Sequence, residues 1–166
     1  MMTLTGDRWI TIAAGLAIAL LVAFAGGMLT VVGPWYESLR FPSWRPPGWL
    51  FGPAWTLIFI CIASSGILVW EEAQSEAQRN WFAGLLAVNG LFNVLWSALF
   101  FRAQRPDWAF ADLVLLWISI LCLVIAAFRS SQAAGWLMSP YLAWVTFAGA
   151  LNFEIVKLNG PFQAEA

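Results

Sequence analysis

Two apolar stretches carry amides and indoles where a buried helix would ordinarily carry leucine. Asn89, Asn93, Trp96 and Phe100 recur at intervals of four, three and four, so a helix presents them on one face. Tyr141, Trp144, Ala148 and Asn152 form a second such row. Each row admits two uses. Its amides can bond neighbouring helices, at roughly 0.6–2 kcal/mol per contact in lipid. Alternatively, the indoles stack on a flat ligand while the amides meet its polar edge. Ala148, a small residue between an indole and an amide, leaves room for a ligand edge or a neighbouring helix. Asp112 lies inside a third apolar stretch. An acid at a helix centre costs about 2.5–3.5 kcal/mol, so it reads as part of a polar pocket or as a group stabilised by a nearby helix N-terminus.

Upstream, residues 35–55 pack four tryptophans and four prolines into 21 positions: Trp35, Trp44, Trp49 and Trp55 with Pro42, Pro46, Pro47 and Pro53. Proline fixes the backbone, and indole offers wide, flat contact surface with one N–H donor. The combination predicts a stiff aromatic lid over something flat and greasy. Pro46-Pro47 is a good helix opening. Pro53 cannot donate to the Trp49 carbonyl, which predicts a bend and a free acceptor beside Trp55.

Other chemistry is poorly served. The chain has no histidine, which removes the usual haem and zinc ligand and the usual general base. No metal site, nucleophile elbow, phosphate loop or carboxylate pair is present, so no catalytic residue is assigned and no covalently bound cofactor is expected. Cys61 and Cys122 sit in apolar segments and read as small hydrophobes. A net charge of −1 without a basic stretch excludes nucleic acid as a partner.

The elements that must position these residues are membrane helices. With 61% hydrophobic and 10% charged residues, the chain is far below the roughly 25% charge of soluble domains. Five segments approach or exceed the ~20 apolar residues of a bilayer span: about 9–32, 47–70, 81–101, 108–128 and 136–156. The expected fold is an all-α membrane protein, one integral domain over 1–166, with five transmembrane helices and the lid between the first two. Ala23-Phe24-Ala25 before Gly26 resembles a signal-peptidase site. The preceding Asp7-Arg8 and the apolar run on to Val32 favour a retained first helix instead. Gly15, Ala19, Ala23 and Gly27 in that helix form a small-residue ridge, for packing within the bundle or as a homodimer seam.

Trp9, Trp70, Trp81, Trp108 and Trp136 fall at segment ends, where indoles favour the headgroup region. Trp55, Trp96, Trp117 and Trp144 lie inside segments and require packing or a ligand. Alternating the five spans puts Arg8, Arg79 and Arg129 on one side, against Arg40, Arg45, Arg102, Arg105 and Lys157 on the other. Positive charge marks the cytoplasmic face, so the lid and C-terminus are expected there; the host membrane is not specified.

Taken together, these residues resemble the TspO/MBR family, the tryptophan-rich sensory proteins related to the mitochondrial translocator protein. The resemblance runs through Trp35-Tyr36, Leu39, Pro42, Trp44, Pro46-Pro47, Trp49, Pro53 and Trp55-Thr56. It continues through Asn93, Trp96, Phe100-Phe101, Asp112, Pro140-Tyr141-Leu142, Trp144, Phe147-Ala148 and Leu151-Asn152. It implies a five-helix bundle, often dimeric, that binds porphyrins such as protoporphyrin IX or haem and similar flat hydrophobic molecules, in sensing, sequestration or transport. Ligand contacts would come from Tyr36, Pro46, Trp49, Trp55, Asn93, Trp96, Asp112, Trp144, Phe147 and Ala148. An alternative implied by some members is light-dependent porphyrin breakdown, with Trp55 and Trp144 as the redox-active residues; another is a structural partner of other membrane proteins. In the segment that resembles a sterol motif, Leu151–Lys157, Phe153 replaces tyrosine, which counts against sterol binding. Phe59 likewise replaces a frequent tyrosine of the family.

Overall fold

The computed structural model describes residues 17, 21–22 and 24–162, and the regular structure among them is entirely helical. Half of the expected 9–32 span lies outside the described residues, including Trp9, Gly15, Ala19 and Ala23. Residues 24–29 are helical. After them come α1 (Pro34–Ser38), α2 (Phe51–Glu72), α3 (Glu76–Ser97), α4 (Pro106–Ser130) and α5 (Gln132–Asn159). With their flanking turns, three of these are long and apolar enough to cross a membrane: Gly48–Glu72, Glu76–Arg102 and Pro106–Ser130. The fifth expected span lies within α5, whose 28 residues are diluted by Pro140, Asn152, Glu154 and Lys157.

α3 starts five residues before the expected apolar segment because polar residues cap it. Ser75 Oγ accepts from the Gln78 amide at 3.3 Å, and Gln78 Oε1 accepts from the Gln74 amide at 3.0 Å. This interlocked start is a variant of the capping box. At the other end α3 widens into a π turn, Ala98–Arg102. Pro106 opens α4 in a position that needs no N–H. Only Ser131 separates α4 from α5.

Two expectations about proline change. Pro46-Pro47 precede a 3₁₀ turn, Gly48–Leu50, and α2 begins at Phe51. Pro53 therefore sits in the first turn, where an amide would have no partner anyway, and no bend is required. The interior proline is Pro140 in α5, and its missing N–H deprives the Trp136 carbonyl of its usual bond.

The core lies where α4 and α5 meet, with α3 and α2 packed against them. Ile120, Leu123, Ala127, Ala134 and Met138 are fully buried there. Close approach of these two helices requires glycine. A Cβ at Gly135 would stand 2.3 Å from the Phe128 ring, and one at Gly149 would stand 2.9 Å from Leu113 Cδ2. The outer faces expose Leu57, Ile60, Leu91, Leu115 and Ile118, which suits hydrocarbon and no aqueous surface. Trp70, Trp81, Trp108 and Trp136 stand exposed at helix ends.

Candidate ligand-binding site

The segment between residues 33 and 50 is stitched to the helices by rings and by one amide. Leu39 is buried against Phe100, Ala109, Leu151 and Ile155. Beside it, the Arg40 amide donates to Asn159 Oδ1 at 2.7 Å, and Asn159 Nδ2 donates back to the Arg40 carbonyl at 2.9 Å. Trp35 meets Phe100 edge-on at 6.0 Å, and Tyr36 lies 5.6 Å from Phe101. Further on, Trp44 meets Phe147 at 5.8 Å. Trp49 projects outward, 72% exposed, while Pro46 is half-buried.

Arg45 holds the turn of this segment together. Its guanidinium lies 3.7 Å from the Phe41 ring centroid and donates to Tyr36 Oη at 3.1 Å. Burial pushes the Tyr36 phenol above its ordinary range, and the charge and hydrogen bond of Arg45 partly oppose that shift.

The helix residues gather in three places. Trp144 meets Phe51 at 5.6 Å and Phe147 at 5.7 Å. Trp144 and Phe147 line an open groove of about 350 Å³ between α2 and α5, with Ala54, Leu57, Ile58, Pro140 and Ala143. Trp55, half-buried, packs against Phe59 at 5.6 Å and Tyr141 at 6.1 Å. Trp96 stacks on Phe100 at 5.2 Å and meets Phe101 at 6.0 Å. Ala148 is half-buried on α5.

The amides of both rows have partners. Asn93 Nδ2 donates to Tyr141 Oη at 3.2 Å, and Tyr141 donates to Asn89 Oδ1 at 3.1 Å. Asn89 Nδ2 in turn donates to Ser119 Oγ at 2.9 Å. Trp96 Nε1 donates to Asn152 Oδ1 at 3.0 Å, and Asn152 Nδ2 to the Pro106 carbonyl at 2.9 Å. Trp117 donates to Thr146 at 2.8 Å. These bonds tie α3, α4 and α5 together. Asp112 differs: it is buried, and neither carboxylate oxygen has a hydrogen-bond partner among the described residues.

The TspO/MBR family profile matches residues 14–158, nearly the whole chain. The chain belongs to the TspO/MBR family. It is 40% identical over 152 residues to the tryptophan-rich protein TspO of Chlorobaculum tepidum, covering 90% of this chain and 96% of that one. Protein CrtK of Rhodobacter capsulatus is 36% identical over 142 residues, covering 86% and 89% respectively. The human translocator protein is 33% identical over 130 residues, 75% of each chain. Membership, with three helices among the described residues long and apolar enough to span a bilayer, makes this TspO/MBR protein an integral membrane protein. No group of three or more His, Cys, Asp or Glu side chains suited to a metal ion occurs among its described residues.

Several site residues were not singled out by spacing. Phe41, Phe51 and Ser119 carry only generic packing or helix signals in the sequence. Asn159 lies four residues beyond Ile155, past the polar row that ends at Asn152, and its partner is 119 residues away.

Proposed function

We propose that this protein binds porphyrins and similar flat hydrophobic molecules within a five-helix membrane bundle, beneath an aromatic lid at the cytoplasmic end. One observation carries the reading. The tryptophan- and proline-rich segment seats Trp44 on Phe147 and thereby on Trp144, beside a groove of about 350 Å³. The groove is shallow and open, so it would take the face of a flat molecule and not enclose it. The groove is lined only by apolar and aromatic side chains, which suits a flat ring system entering from lipid. Asp112 does not line this groove, and the carboxamides of Asn93 and Asn152 are engaged with protein partners, so the groove itself offers the ligand no polar group. Relatives named as a sensory protein and as a translocator protein agree with a binding role that feeds sensing or transport.

The test is a titration of protoporphyrin IX into the detergent-solubilised protein, in the dark, followed by indole fluorescence. Each aromatic contact contributes about 0.5–1.5 kcal/mol beyond its buried area. A Trp55→Ala, Trp144→Ala double variant should therefore bind about 5- to 150-fold more weakly. Unchanged affinity removes these indoles from the site.

A further inference from the structure

We infer that Arg45 recognises a carboxylate on the edge of the bound ligand, so that the protein selects planar acids over their neutral esters. This rests on the tetrapyrrole reading above.

Of the other four cations at this end, two are closed in ion pairs and two, Arg40 and Arg102, stand exposed. Arg105 is closed bidentately on Asp107 and lies over Trp108. Lys157 pairs with Glu154 at 2.9 Å, and Arg102 donates to the Met28 carbonyl at 3.0 Å. Arg45 is held differently. Its guanidinium is sandwiched toward Phe41 and Tyr36, at 3.7 and 5.3 Å from their centroids. Its one hydrogen bond goes to a phenol, and no carboxylate stands within 4.0 Å of it among the described residues. Of the five N–H donors of a guanidinium, most remain for a ligand. The Tyr36 phenol, already neutral near pH 7 and raised further by burial, does not neutralise the guanidinium, which is always charged.

The location fits an amphipathic guest. Arg45 follows Trp44, which leads through Phe147 to Trp144 and the groove. A planar ligand lying along those rings keeps its apolar body in hydrocarbon. Its carboxylates, which cannot follow it there, emerge at the level of this segment, where Arg45 waits on its aromatic shelf. The planar fork of arginine matches a carboxylate in a two-bond geometry that lysine lacks.

The experiment compares protoporphyrin IX with its dimethyl ester, which keeps the ring and loses both charges. Wild-type protein in neutral detergent should bind the acid about 10-fold more tightly than the ester, and added salt should shrink the ratio. In Arg45→Gln the two ligands should bind within about threefold of each other, and Arg45→Lys should fall between. A general loosening of the fold would weaken both ligands and leave their ratio intact, which separates recognition from scaffolding. Equal binding of acid and ester by the wild type overturns the inference, as does an undiminished ratio in Arg45→Gln. Saturable binding of neither porphyrin sinks the tetrapyrrole reading itself, a distinct outcome that takes this inference with it.

Discussion

At the scale of single residues, the chain uses its polar groups chiefly to complete one another. The tyrosine hydroxyl at 141 both donates to Asn89 and accepts from Asn93, so a single buried oxygen serves two turns of α3. Hydrocarbon offers no substitute partner, and each unmet group there costs several kcal/mol. The sequence places these residues correctly on shared faces, since periodicity alone decides that. It does not decide whether a face turns to a ligand or to a neighbour, because an amide looks the same in both uses. Tyr36 shows the opposite balance, half-buried at the membrane end with an arginine beside it. Burial raises its phenol from the ordinary value of 10.0, and Arg45 lowers it in part. Removing the arginine therefore raises it further. In a Tyr141→Phe background, phenolate absorbance should appear at higher pH in Arg45→Gln than with Arg45 intact. The sign for stability follows. A raised phenol favours the folded state below its unfolded value, and that contribution is lost as pH climbs through the folded value.

At the scale of elements, the pairing of α4 with α5 governs the rest. One residue joins these helices, so they must run antiparallel and touch from their first turns. Gly135 is the price of that contact, since a methyl group there would meet the Phe128 ring at 2.3 Å. Gly135→Ala should destabilise the protein by about 1–3 kcal/mol, the usual range for overpacking. The measurement is unfolding in mixed micelles, with Gly84→Ala as control, where a Cβ meets nothing within 4 Å. An unchanged midpoint for Gly135→Ala would mean that the two helices slide apart without loss. Helix existence was legible here from apolar length, and helix ends were not. Apolar runs stop where lipid stops, whereas helices stop where caps such as Ser75 and Pro106 intervene. The start of α2 moved from Pro47 to Phe51 for the same reason: two prolines and a glycine favour a tight turn before the helix proper. The docking of residues 33–50 was legible only as aromatic content. Its anchor, Asn159 on Arg40, joins residues too distant in sequence for any local pattern to reveal.

At the scale of the whole molecule, the helix order brings one set of ends together. Asn159 at the end of α5 touches Arg40, and Tyr36 touches Phe101 beyond α3. Arg40, Arg45, Arg102, Arg105 and Lys157 consequently cluster at that end, whereas Arg79 and Arg129 mark the other. Ion pairing with Asp107 or Glu154 does not cancel the effect on orientation, because acidic residues contribute little to the rule. The cationic end should therefore face the cytoplasm. Single cysteines at Ala103 and Gln74, both exposed and at opposite ends, report this directly once Cys61 and Cys122 are replaced by alanine. A membrane-impermeant maleimide added to intact cells should label Gln74→Cys and leave Ala103→Cys untouched until the cells are opened. Labelling of Ala103→Cys alone would invert the protein in its membrane. The tryptophan-rich segment and Arg45 would then meet their ligand from the outside, and transport or sensing would begin from the opposite compartment.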